Sequence, residues 1–318
     1  MPKKTITVKC HPGGHFLTNC QEIDRELNHV HPADLVIFHC REGFSIARSG
    51  FLQYILDWQA QSGHASELIQ LWSYNCKEQL PFKNICYWPN AAWVYAKKNC
   101  LNYAGTFVAS PKYIFGLFLG RGSVERNIML YDCYHQWKSY FLFSRLKNTQ
   151  PCAWIAGENV DDWINVEQQT KIMDWLQTHS IESIDDYQGV AGQQLHEDYS
   201  SILAHYNLFG VEVVAETITV GEAFYPTEKT TRPIIARKPF VTYATKNFLK
   251  DLRQLGFKTF DSIWDESYDE LEGPRRWDSM KQTLQYIIDN PDVVSGCGPI
   301  VEHNRLCLEK IYPYTKYV

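Results

Sequence analysis

A charged cluster set between two apolar runs constrains this chain more than any other stretch. The run Val211 to Val214, with Glu212 inside it, ends in Ala215, Glu216 and Thr217. A polar, glycine-containing connection leads to Pro226-Thr227-Glu228-Lys229-Thr230-Thr231-Arg232-Pro233. A second apolar run, Ile234 to Thr242, is broken by Arg237 and Lys238, and an amphipathic helix, Lys246 to Leu255, stops at Gly256. Strand, loop, charged turn or helix, strand and helix in succession predict a parallel α/β unit. Within the cluster Glu228 and Arg232 are four apart, so a helix would project both from one face. A carboxylate beside two cations suits a ligand with hydroxyls and phosphates. The competing reading is an exposed Glu–Arg pair at a helix start.

The same grammar recurs upstream. Residues 4–10 alternate as a strand does and feed His11-Pro12-Gly13-Gly14-His15. This loop lets a backbone approach a ligand or simply turns, and it is not the G-x-G-x-x-G of dinucleotide sites. Residues 34–40 form a nearly continuous apolar run ending in His39-Cys40-Arg41-Glu42-Gly43. Such a run predicts a buried parallel strand, and the polar residues after it would stand on the ligand-binding rim. Residues 47–61 have helical periodicity, and 67–75 and 84–90 continue the alternation. Residues 113–119 predict a strand, followed by Gly120-Arg121-Gly122-Ser123-Val124-Glu125-Arg126 and a helix from Asn127 to Phe141. A helix start carrying Arg121 and Arg126 makes a candidate phosphate site, against a tight turn with solvent arginines. Helices are also predicted over 166–178 and 277–290, with a short one at 199–206.

The chain has 318 residues, room for one large or two medium domains. A net charge of −5 gives no overall drive toward nucleic acid or anionic membrane. The 10 cysteines form no C-x-x-C, and the amino terminus lacks the apolar segment of a secretory signal. No apolar stretch is long enough to span a bilayer. The expectation is a cytoplasmic protein, in a host's cytoplasm if phage-encoded, with reduced thiols in its core. Cys297, His303 and Cys307 are the only hint of zinc, and without a paired spacing or an evident fourth ligand no metal site is expected.

The segments AET, FYPTEKTTRPIIARKPFVT and LKDLRQLGFKTFDSIWDESYDEL, with FGLFLGRGSVER before them, carry a resemblance. They resemble the carboxyl-terminal part of a group of phage and bacterial proteins that look like GT-B glycosyltransferases. That group is distantly similar to the α-1,3-fucosyltransferases, in which Phe-Glu-Asn precedes Thr-Glu-Lys as Ala215-Glu216-Thr217 here precedes Thr227-Glu228-Lys229. The resemblance runs from about 113 to 290. It implies an α/β fold of two Rossmann-like lobes with a cleft between them. Residues 1–108 would form the acceptor-side lobe and 109–298 the nucleotide-sugar lobe, with 299–318 a segment crossing back to the first.

The resemblance further implies a transferase moving a sugar from a nucleotide-diphosphate donor to an acceptor hydroxyl, with no tightly bound cofactor. Glu228 would accept from the ribose hydroxyls, Lys229 and Arg121 would neutralise the diphosphate, and Glu216 would contact the donor sugar or orient the phosphate side. Thr227, Arg126 and Arg232 complete the donor-binding set. Thr217 and Tyr225-Pro226 depart from the fucosyltransferase pattern, which leaves the donor open. The acceptor would be a glycan or a base of hydroxymethylated DNA, although no basic arm for DNA is evident. A general base from the first lobe would be His15 or Glu42, with His39 nearby. The alternatives are a non-catalytic nucleotide- or sugar-binding protein that kept the fold, and a flavodoxin-like module with a single doubly wound sheet.

Overall fold

The computed structural model describes residues 2–10, 16–40, 46, 49–73, 80–86, 111–120, 123–145, 165–179, 181, 203–221 and 223–311. The expected α/β class is present as two four-stranded sheets with helices between the strands. The described residues form two separate sheets and not a single doubly wound one.

The first sheet holds β1 (Thr5–Cys10), β2 (Leu35–Cys40), β3 (Ile69–Ser73) and β4 (Lys83–Cys86) in the order β1-β2-β3-β4. All its pairings are parallel. Helices α1 (Phe16–Leu27) and α2 (Phe51–Ser62) connect the first three strands. In β3 burial alternates along Ile69, Gln70, Leu71, Trp72 and Ser73, because successive side chains point to opposite faces. Ile69 and Leu71 join Val8, Val36, Phe38, Phe51 and Ile55 in one core.

The second sheet holds β5 (Tyr113–Leu119), β6 (Phe141–Arg145), β7 (Phe209–Ala215) and β8 (Phe240–Tyr243), also all parallel. Its order is β6-β5-β7-β8. Helices α3 (Val124–Trp137) and α4 (Val166–Thr178) lie between β5 and β7 in sequence, and α5 (Glu228–Ile235) lies between β7 and β8. After β8 come α6 (Phe248–Gln254), α7 (Gly273–Asp289) and α8 (Gly298–Ile311). Every residue of β7 is buried, as a central strand covered on both faces must be. A second core gathers Phe115, Leu117, Phe209, Val211, Val213, Phe240, Trp277 and Leu284.

Two element boundaries correct the sequence reading. The helix expected over 127–141 starts at Val124, because Ser123 caps it by accepting from the Arg126 amide at 3.3 Å. It ends at Trp137, and Phe141–Arg145 is a strand. The run Ile234 to Thr242 is also divided: Ile234 and Ile235 finish α5, and the strand begins only at Phe240. Apolarity alone cannot separate a buried helical turn from a buried strand. Arg237 makes the break by adopting φ 53°, while the Lys238 amide donates to the Pro233 carbonyl at 2.8 Å.

The boundary expected near residue 108 lies outside the described residues, as do 312–318. Within 298–311, α8 packs on the second core through Val301 and Leu308, and Glu302 accepts from the Arg237 Nε at 2.7 Å. Cys10, Cys40, Cys133 and Cys297 are buried free thiols; burial pushes Cys40 and Cys133 well up and Cys297 to about 12. Thiols held protonated in this way behave as small core residues. Among the described residues no helix is long and apolar enough to cross a membrane.

Candidate functional site

In the second sheet β5 is followed by α3 and by β6 on one side, whereas β7 lies on its other side and leads to β8. The chain therefore reverses direction across the sheet between β5 and β7. At such a point the connections after neighbouring strands diverge, and open α/β sheets bind ligands beyond the carboxyl ends there. Arg126 is in the first turn of α3, Glu216 directly follows β7, and Thr227 to Arg232 open α5.

Glu216 ties these pieces together. It is 1% exposed, and both carboxylate oxygens accept twice. Oε1 accepts from the Thr227 amide at 2.9 Å and the Thr230 hydroxyl at 2.6 Å. Oε2 accepts from the Thr217 amide at 3.1 Å and the Thr227 hydroxyl at 2.6 Å. Buried carboxylates persist only with such partners. The start of α5 is thereby held against the end of β7, across eleven residues of chain. From the helix that follows β5, Arg126 Nη2 donates to the carbonyls of Ala215 and Glu216 at 3.1 and 2.7 Å.

Thr227 caps α5, its hydroxyl accepting from the Lys229 amide at 3.3 Å. Lys229 Nζ donates to Thr217 Oγ1 at 3.0 Å, Thr227 Oγ1 at 3.3 Å and Glu228 Oε1 at 2.5 Å. The Lys229 and Glu228 side chains are 13% and 27% exposed, so this ion pair meets solvent together with the exposed Thr217. Burial by itself would raise the Glu228 carboxyl; the charges of Lys229 and Arg232 and the Lys229 hydrogen bond outweigh it and bring the pKa to about 2. Burial and the nearby charge of Arg126 lower the Lys229 ammonium, against the opposing pull of Glu228 and Glu216.

Arg232 is buried and turns toward the sheet, where Nη2 pairs with Glu212 Oε1 at 3.3 Å. The Tyr206 hydroxyl donates to the other oxygen of Glu212 at 2.5 Å. Burial pushes the Glu212 carboxyl up to about 7, with Arg232 and Tyr206 holding it lower than burial alone would and Glu216 adding to the rise. The sequence reading gave no role to Tyr206, Glu212 or Thr230. The available signal was a glutamate inside a strand otherwise apolar on both faces, which needs a buried partner.

Of the residues singled out from sequence, the structure brings Arg126, Glu216, Thr227, Glu228, Lys229 and Arg232 into one cluster. His15, Glu42 and Arg121 lie outside the described residues. His39 stands next to last in β2 with its ring edge-to-face against Trp72. Cys297, His303 and Cys307 each turn to a different backbone carbonyl, of Val293, Gly256 and Leu255. Among the described residues no three metal-ligating side chains are grouped to hold an ion.

Comparison with protein-family models and with curated proteins finds no match. The cluster's own chemistry is therefore the ground for a function. It offers an ammonium, a guanidinium behind it, a helix amino terminus and a partly exposed carboxylate at a strand-order reversal. That set suits an anionic ligand that also carries hydroxyls.

Proposed function

We propose that the protein is a nucleotide-sugar-dependent glycosyltransferase that moves a sugar from a nucleotide-diphosphate donor to an acceptor hydroxyl. The observation that carries this reading is the meeting of Lys229 and Arg126 at the β5/β7 reversal, with Glu228 beside them at the surface. In this reading the two sheets belong to GT-B-like lobes, and the cleft between them receives donor and acceptor.

When the bond from the sugar to the diphosphate breaks, the leaving nucleotide gains negative charge. Fixed cations and a helix amino terminus stabilise that charge more than they stabilise the bound donor. Lys229 is the contacting group. Arg126 is committed to two carbonyls, so it acts through its field and by holding the end of β7. An arriving phosphate takes Nζ away from Glu228, and the released carboxylate accepts from the ribose diol. His15 or Glu42 takes the acceptor's proton as its oxygen bonds to the sugar. The acceptor is a glycan or a hydroxymethylated nucleic-acid base.

A thermal-shift series with UDP, GDP, CDP and ADP at millimolar concentration tests this. One diphosphate is expected to stabilise the protein, by about 2.7 kcal/mol at a hundredfold excess over Kd. Glu228→Ala and Lys229→Ala are expected to lose that stabilisation. If no nucleotide shifts the melting temperature, the glycosyltransferase reading falls.

A further inference from the structure

We infer that Glu212 is a proton-linked positioning residue for the anion site, setting through Arg232 how much positive charge the β5/β7 rim offers a diphosphate. The inference rests on the reading of that rim as an anion site. Glu212 lies in the middle of β7 and is fully buried. It has no route to a ligand, so any effect passes through its neighbours. The neighbouring strands place Gly116 and Phe240 beside it, neither of which titrates. Among the described residues, the titratable and charged groups that act on it are Tyr206 from the turn before β7, Arg232 from α5, and Glu216 just past the end of β7.

Arg232 joins the two levels of the cluster. It pairs with Glu212 below, and its charge also acts on Glu228, four residues earlier in α5. Arg126, Lys229 and Arg232 face Glu212, Glu216 and Glu228, so the six groups balance when all are ionised. Protonating Glu212 leaves one positive charge in excess, and Arg232 loses its counter-charge beneath. An anion at the rim then binds more tightly, and by reciprocity a bound anion holds the proton on Glu212. With its pKa raised to about 7, Glu212 changes state in the neutral range.

The test is calorimetric titration of inorganic pyrophosphate, without metal, into wild type, Glu212→Gln and Lys229→Ala at about pH 6 and about pH 8. The amide of Glu212→Gln imitates the protonated acid. It is expected to bind about fivefold more tightly than wild type at the higher pH, the low end of typical coupling, and to match wild type at the lower pH. Pyrophosphate's own titration affects both proteins equally. Equal affinities of wild type and Glu212→Gln at both pH values, with binding abolished in Lys229→Ala, overturn the inference and leave the anion site standing. Absence of wild-type binding at either pH overturns both. Should Glu212→Gln not fold, Tyr206→Phe decides: losing the hydroxyl raises the Glu212 pKa, so the fall in affinity must move to higher pH. An unmoved transition overturns the inference.

Discussion

Glu216 faces inward. The family resemblance implies that it contacts the donor sugar or orients the phosphate side; in the fold four hydrogen bonds occupy its carboxylate and make it the tie between β7 and α5. Glu228, twelve residues later, keeps a quarter of its side-chain surface exposed and is the carboxylate a ligand can reach. Close packing sets equally local limits elsewhere. A Cβ on Gly116 of β5 would stand 2.9 Å from the ring of Phe209, which is itself locked between Phe118 and Tyr206. Gly116→Ala is therefore expected to destabilise the protein by about 1–3 kcal/mol, read from urea unfolding. An unchanged unfolding midpoint would mean that the ring gives way freely.

At the scale of elements, short helices here depend on side chains that come from far away in sequence. The amides of Leu249 and Lys250, in the first turn of α6, donate to the carboxylate of Asp269 at 3.0 and 3.1 Å. Asp269 also pairs with Arg276 of α7, a guanidinium with no exposed surface that donates to the carbonyls of Thr242, Thr245 and Asp269. One ion pair thus fastens α6 and α7 to the end of β8. Asp269→Ala removes the cap and leaves a buried cation without its counter-charge. A loss of about 3–5 kcal/mol is expected in equilibrium unfolding, the range for a broken buried pair. A loss below about 1 kcal/mol would show that the carbonyls alone hold Arg276.

At the scale of the whole molecule, two buried acids make stability depend on pH. Burial raises both Glu212 and Glu266 from 4.5 to about 7, against the opposing effects of their hydrogen-bond and charge partners. Between those values the folded state holds protons that the unfolded state has released, so stability falls as pH rises through the window. Each acid contributes roughly 3 kcal/mol to the fall, which is complete above about pH 7. Glu228 works the other way, but its contribution is complete above 4.5 and is lost only toward 2. Lys238, buried against the Phe209 carbonyl and lowered to about 8, adds stability with rising pH only above that value. The urea midpoint is expected to be higher near pH 5 than near pH 8, with a flatter profile in Glu266→Gln. A midpoint that rises across this interval contradicts the account.

What the sequence determined by itself is the alternation of strand and helix and the order of its parts. Short continuous apolar runs such as 35–40 and 113–119, each followed by polar or glycine residues, predict buried parallel strands, and α4 starts where Asn165 and Gln168 form a capping box. The charged cluster at 226–233 announced a buried polar network because so many polar groups beside buried strands need partners. The strand at 141–145 was hidden, since five residues after a helix are too few to show a period of two. The division of 234–242 was hidden because an apolar residue is equally at home in a buried helix and a buried strand. Only the tertiary structure decided which carboxylate faces inward and which meets solvent. Glu216 and Glu228 have the same chemistry, and spacing along the chain carries no record of depth. The order β6-β5-β7-β8 sets that depth, because it places the ends of β5 and β7 side by side and brings Arg126 onto the carbonyl of Glu216.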